Sequence, residues 1–313
     1  MATLPHNRSN LLWEGGKSGA VTKMFSASID RWIDAMVADE HGGGQSSDVV
    51  ISAVVTAKQS GVIAGQCVID RLIQRHFANC NVSWSIEEGG RAAVGDVVLT
   101  IEGIADSVLR CERIMLNFLG RMSGIATNTA DWVEASNSMG VACTRKTEWG
   151  LLDKWAVHMG GGLTHRLDRS DALMIKENDL PALAPEASDE LSAISQVVME
   201  IDMKTHASFT VIEVRNREQA LAAAGAWAEA QVERGKCEKI VLLLDNIGPK
   251  GCAEVHSKLM SEGLRAWCIL EGSGGVKKSQ LDQWVTSGVD LISTSALNRG
   301  VAPLDLSMRV RGD

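Results

Sequence analysis

The sequence predicts an α/β protein, an N-terminal α+β sandwich domain joined to a partial parallel α/β barrel. Two observations predict it. Through the C-terminal half, short strand-like runs alternate with helical ones, the rhythm of parallel strands with helical crossovers. At or just beyond each of those runs stands a charged or small polar residue, as expected where barrel strands open onto one functional rim.

Taken in order, Val21 to Val37 places Val21, Met24, Phe25, Ile29, Trp32, Ile33 and Met36 at three- and four-residue spacing and ends at Gly42-Gly43-Gly44. That is an amphipathic helix with a glycine stop. Strand-like runs follow at Val49 to Val55, Asn81 to Ser85 and Asp96 to Glu102, with a helical stretch from Cys67 to Phe77 and turns at Gly89-Gly90 and Gly95. A long helical pattern covers Asp106 to Ser136. Six further strands are expected at 141–144, 172–175, 209–214, 240–244, 265–270 and 289–293. Residues 1–116 are therefore read as the sandwich domain, with 298–313 returning to it, and 117–297 as the barrel.

The 313 residues carry a net charge of -8, with 45% hydrophobic and 22% charged residues. Nucleic acid and anionic membrane are thus not expected as partners, since binding to them is driven by cationic surface. The first residues lack the basic start and apolar run of a signal peptide, and the seven cysteines are scattered without a CxxC pair. Both point to reduced thiols in the cytoplasm. His158 and His165, seven apart across a glycine run, lack zinc-ligand spacing.

The strand ends carry the chemistry: Arg145 and Lys146, Lys176, Glu213, Asp245, Glu271 with Ser273-Gly274-Gly275, and Ser295. Arg145, Lys146, His165, Arg166 and Lys176 make a positive pocket on an acidic chain, suited to a small polycarboxylate or a phosphate. Ser273-Gly274-Gly275, read as leading into a helix over Lys278 to Val285, predicts a phosphate cradle. Glu213 and Asp245 could grip ribose hydroxyls or Mg2+ carried on a pyrophosphate.

The run Thr144-Arg145-Lys146-Thr147, then WGLLDKWAV, Thr164-His165-Arg166, Ile175-Lys176-Glu177-Asn178, IEVRN, LLLDN and EGSGG closely resembles the quinolinate phosphoribosyltransferase family. The resemblance runs in order from about Gly61 to the C-terminus. It implies a type II phosphoribosyltransferase: quinolinate and phosphoribosyl pyrophosphate giving nicotinate mononucleotide, CO2 and pyrophosphate, with Mg2+. It also implies a homodimer, or a higher oligomer, with shared active sites. By match, Arg145, Lys146, His165, Arg166 and Lys176 would bind the quinolinate carboxylates, with Arg113 reaching in from the neighbouring subunit. Glu213 and Asp245 would hold the ribose and metal side, and Ser273, Gly274, Gly275 and Ser295 the phosphate; Lys146, Glu213 and Asp245 are the catalytic candidates. The sequence departs from the family pattern at three places: Glu148-Trp149-Gly150-Leu151 replaces a longer loop with a proline and a second Arg, Asp179 replaces a His, and Ser295 replaces a glycine. The competing readings are a related phosphoribosyltransferase acting on nicotinate or another anion, and a non-catalytic anion-binding protein on the same scaffold.

Overall fold

The computed structural model describes residues 4–16, 19–40, 48–203 and 208–311. In chain order its main elements begin with α1 (Lys23–Asp39), β1 (Val50–Ala57), α2 (Gln66–His76), β2 (Cys80–Trp84), β3 (Val97–Ile104), α3 (Ala105–Ala135), β4 (Gly140–Cys143) and α4 (Leu151–Met159). They continue with β5 (Leu173–Ile175), α5 (Glu190–Glu200), β6 (Thr210–Val214), α6 (Arg217–Glu233), β7 (Ile240–Asp245) and α7 (Gly248–Ser261). Last come β8 (Cys268–Ser273), α8 (Leu281–Val285), β9 (Leu291–Thr294) and β10 (Leu306–Val310). The glycine stop expected at Gly42-Gly43-Gly44 lies outside the described residues. Among the described residues no helix is long and apolar enough to cross a membrane.

The chain divides into two compact units. One comprises Met1–Asn7, Trp132–Arg145 and His165–Ala296, and the other Arg8–Asp131, Lys146–Thr164 and Leu297–Asp313. The division expected after residue 116 and the division after Asp131 both fall inside α3, which runs unbroken from Ala105 to Ala135, and the C-terminal segment from Leu297 groups with the second unit.

In the second unit, β10, β1, β3 and β2 form an antiparallel sheet in that order. The C-terminal strand joins it by pairing Leu306 with Ala57 through to Val310 with Ala53. Every second residue of β1 from Ala53 is buried, the period of a strand with one face in a core. Thr22 starts α1 by accepting from Phe25 N–H at 3.2 Å. Gly65, at the start of α2, has no side chain to offer, and the Glu88 carboxylate takes that role, accepting from Gly65 N–H at 3.0 Å and Gln66 N–H at 2.5 Å.

The first unit holds a six-stranded sheet in the order β4, β9, β8, β7, β6, β5, every pair parallel. β4 and β9 pair through Gly140–Leu291 to Cys143–Thr294, while β5 is the other edge, so this is an incomplete barrel. The run Ile240-Val241-Leu242-Leu243-Leu244 is buried on both faces, as parallel strands covered by helices require. Its inner face meets the core of Ala172, Phe209, Val211, Val241 and Leu243, with Met174 and Ile269 against it. The fifth strand begins later than expected, because Arg265–Trp267 forms a single 3-10 turn and the strand runs on to Ser273. Gly272 in that strand is needed for space: a Cβ there would lie 2.4 Å from the Trp284 ring.

Candidate active site

Strand register decides which side chains share the inner face of the barrel sheet. Ala172 and Phe209 form the lowest layer; above them Met174, Val211, Val241 and Ile269 are in step. One step higher, Lys176 follows β5 level with Glu213, and Glu213, Leu243, Glu271 and Leu291 are aligned. The top layer holds Asp245, Ser273 and Ser293. Because alternate residues face alternate sides, the apolar core is crowned at its C-terminal edge by carboxylates, a lysine and hydroxyls.

Lys176 and Glu213 meet as an ion pair, with the lysine half exposed and the carboxylate mostly buried. The sequence assigned them to different subsites, and the structure joins them. Asp179, one of the departures from the family pattern, accepts from Lys176 N–H at 2.9 Å and so fixes the lysine's backbone. Asp245 accepts from Asn246 Nδ2 at 2.6 Å, and Asn246 N–H donates to the Ser273 carbonyl at 3.0 Å, tying the ends of β7 and β8 together. Asn246 does this from a left-handed backbone, φ +59°, a conformation that Asn tolerates better than most residues.

Two arginines gather at the other side of the rim. Arg145 is exposed just beyond β4, and Arg166 is half-buried, its Nη1 donating to the Ala172 carbonyl at 3.2 Å. Burial, then repulsion from Arg145 and Arg169, lowers the pKa of the Arg166 guanidinium. The Asp168 and Glu271 carboxylates offset part of this; Asp168 itself accepts from Ser170 and Asp171 N–H, and Asp171 from Leu167 N–H. A site whose positive groups repel each other is poised for an anion.

His165 is buried with a left-handed backbone, φ +52°. Its Nε2 lies 3.1 Å from both oxygens of Glu271, and its Nδ1 accepts from Arg166 N–H at 2.6 Å. Glu271 also meets His6 Nε2 at 3.1 Å. Burial alone would push the Glu271 carboxyl up, but the His165 and His6 imidazoles beside it more than offset that and hold it well below the usual carboxylate range. Glu271 therefore belongs beneath the rim and not on it as the sequence suggested. His6 went unrecognised, since a lone histidine in Pro5-His6-Asn7 carries no pattern.

The phosphate cradle takes a different form from the expected one. Ser273 is the last residue of β8, and the helix does not start at Lys278: a 3-10 turn covers Lys278–Gln280 and α8 is only five residues long. What remains is the backbone of Gly274 and Gly275, at φ +87° and +60°. A Cβ on Gly274 would lie 2.1 Å from Asn246 Oδ1, so glycine is required there by both conformation and space. Ser295 stands half-buried directly after β9.

Lys146 and Arg113 belong to the other unit. Arg113 is exposed on α3 and lines a cavity of about 520 Å³ with Asn117, Arg121 and Trp149. Lys146 begins the short variant loop, whose organiser is the buried Asp153 of α4. That carboxylate accepts from Glu148 N–H at 2.8 Å, Trp149 N–H at 3.2 Å, Asn298 Nδ2 at 3.2 Å and Arg121 Nη2 at 2.9 Å. Asn298 also donates to the Lys146 carbonyl at 3.0 Å. Arg121 lies 4.8 Å over the Trp149 ring, and Gly150 turns the chain at φ +59°. The one signal in the sequence was an acid within the apolar stretch Leu151-Leu152-Asp153-Lys154-Trp155, which marks a buried charge with work to do.

The chain is similar to known proteins over most of its length. The family models for the quinolinate phosphoribosyl transferase N-terminal and C-terminal domains match residues 36–123 and 125–309. Two archaeal proteins are similar over most of the chain, each named a probable carboxylating nicotinate-nucleotide pyrophosphorylase. The one from Methanothermobacter thermautotrophicus is 33% identical, covering 84% of this chain and 89% of its own. The one from Archaeoglobus fulgidus is 35% identical, covering 83% and 94%. Among solved structures, NadC from Streptococcus pyogenes superposes with a TM-score of 0.76 at 28% identity, covering 92% of this chain and 98% of that one. His6 lies before both matched stretches.

Proposed function

The chain belongs to the quinolinate phosphoribosyltransferase family, and from that premise we propose how its barrel rim divides the family's reaction. The enzyme transfers the phosphoribosyl group of phosphoribosyl pyrophosphate to quinolinate with decarboxylation, giving nicotinate mononucleotide, CO2 and pyrophosphate for NAD biosynthesis. The observation that carries the assignment of roles is the distribution of groups along one rim: crowded arginines by His165, carboxylates on β6 and β7, and bare glycine backbone just beyond β8.

In this reading Arg145, Arg166 and Lys176 bind the two carboxylates of quinolinate and aim its ring nitrogen, with Lys146 and Arg113 as further cations; His165, expected from the sequence to join them, has Nε2 on Glu271 and Nδ1 on Arg166 N–H, and so acts by positioning Arg166. Asp245, helped by Glu213, holds the ribose side, and Ser273, Gly274, Gly275 and Ser295 take the phosphate. Two carboxylates on one face of neighbouring strands are an oxygen-only donor set that fits Mg2+. The metal would be held there by Asp245 and Glu213 and would supply charge neutralisation of the pyrophosphate. The ring nitrogen displaces pyrophosphate at the anomeric carbon; the pyridinium so formed then accepts the electron pair left as the 2-carboxylate departs as CO2, and a proton takes its place. The side chains supply orientation and fixed charge, and no nucleophilic residue is required. Release of CO2 and pyrophosphate in equal amounts from quinolinate and phosphoribosyl pyrophosphate is the direct test.

Asp245→Ala is expected to raise the KM for phosphoribosyl pyrophosphate by roughly tenfold or more, as loss of a ligand-positioning group typically does, while calorimetric titration with quinolinate alone stays near normal. Glu213→Ala also removes the partner of Lys176, so the Asp245 variant is the cleaner discriminator. Collapse of quinolinate binding in folded Asp245→Ala protein would reverse the subsite assignment.

We also propose a homodimer in which Arg113 serves the neighbouring subunit; its exposure beside a cavity of α3 supports this. Arg113→Ala and Lys146→Ala chains should each be inactive alone. After subunit exchange half the dimers are mixed, each with one intact site of two, so activity should return to about a quarter of wild type. Failure to recover after verified exchange would exclude shared sites. The seven free cysteines support a cytoplasmic location.

A further inference from the structure

Beneath the rim lie two buried residues that the reaction as described does not use, His6 and Glu271. His6, His165 and Glu271 are all buried, and the Nε2 atoms of both histidines lie 3.1 Å from the same carboxylate. The two imidazoles pack edge to face with centroids 4.8 Å apart, and Phe209 closes against His6 at 5.1 Å and His165 at 6.0 Å. His6 comes from the N-terminal segment, yet it belongs to the same compact unit as the strand that bears Glu271.

The protons in this cluster are fixed by one further bond. Arg166 N–H donates to His165 Nδ1, so a neutral His165 must carry its proton on Nε2, the atom facing Glu271. Two histidines and a glutamate would suit zinc by ligand type, but binding through His165 Nε2 would require that proton to leave as well. The geometry is that of a carboxylate accepting from two imidazoles.

We propose that His6 is a positioning residue, which by hydrogen bonding to Glu271 holds that carboxylate in place to fix His165 as the Nε2–H tautomer and, through His165 Nδ1, the backbone of Arg166. The proposal rests on the reading of Arg166 as a group for the quinolinate carboxylates. Its physical basis is the left-handed backbone at His165, φ +52°, which persists only where surrounding contacts over-determine it. Removing His6 leaves Glu271 buried with one imidazole partner fewer, and a carboxylate so desolvated takes up a proton more readily. Protonated, it no longer demands a donor from His165.

The test uses the full chain. His6→Phe keeps an aromatic ring of similar shape without the N–H, and His6→Gln restores an N–H at similar reach. In His6→Phe the KM for quinolinate should rise roughly tenfold, the scale seen when a partner that orients a histidine is lost, with kcat and the KM for phosphoribosyl pyrophosphate changed little. His6→Gln should recover most of the loss. Imidazole nitrogen resonances in histidine-labelled protein should report a single Nε2–H tautomer at His165 in wild type and a mixture in His6→Phe. Unchanged quinolinate KM and His165 resonances in folded His6→Phe would overturn the proposal. If His6→Phe does not fold, wild-type His165 protonated on Nδ1, or a His6→Gln protein whose His165 has lost the Nε2–H tautomer, would overturn it equally. An Arg166→Ala chain that keeps its quinolinate KM would instead remove the carboxylate reading of Arg166, leaving the nitrogen spectra to decide whether His6 acts on His165.

Discussion

Nicotinate is expected to be turned over roughly ten-thousandfold less efficiently than quinolinate, because a site built to pair a group rejects the analogue that lacks it. Quinolinate brings two adjacent carboxylates, and nicotinate one. Of the cations in the barrel unit, Lys176 already has Glu213 as a counter-charge, whereas burial disfavours the charge on Arg166 and repulsion from Arg145 adds to it. A ligand with one carboxylate would leave one of these guanidinium groups desolvated and unpaired, which costs several kcal/mol. Phthalate keeps both carboxylates but has no ring nitrogen, so it should compete with quinolinate and not react. Steady-state kinetics with the three compounds measures the effect. Comparable turnover of nicotinate and quinolinate would point to the related enzymes that act on nicotinate.

Asp153→Ala should lose roughly 3–5 kcal/mol of stability, the range for breaking a buried ion pair by removing one partner. The carboxylate is buried and is the common acceptor for Arg121, two backbone N–H groups and Asn298. Its removal leaves the Arg121 guanidinium without its main anion and the Glu148-Trp149 turn without its anchor. Urea unfolding gives the number directly, and a double-mutant cycle with Arg121→Met separates the ion pair from the turn. A loss under about 1 kcal/mol, the scale of an exposed ion pair, would show that the cluster is not structural.

Much of this protein was readable because its elements are long or strongly patterned. The helix expected from Asp106 to Ser136 is Ala105–Ala135, and the run Ile240 to Leu244 is a strand, since periodicity reports burial directly. Arg265 to Leu270 misled because Arg265-Ala266-Trp267 has strand-like composition but turns, with Arg265 pairing with Asp290 at 2.9 Å. The residue types at the strand ends were also legible: Arg145, Lys176, Glu213, Asp245 and Gly274 all stand at or beyond the ends of parallel strands.

What the sequence alone determined was therefore the list of chemical groups and the sheet that presents them, because both follow from local patterns. Only the tertiary structure decided which groups meet. Lys176 with Glu213, Asp153 with Arg121 and Asn298, and His6 with Glu271 are separated by 37, 32, 145 and 265 residues respectively. No local pattern reaches across such separations. These pairings arise because desolvating a charge is unfavourable unless a partner is at hand, a condition set only when strand register and packing bring distant segments to the same depth.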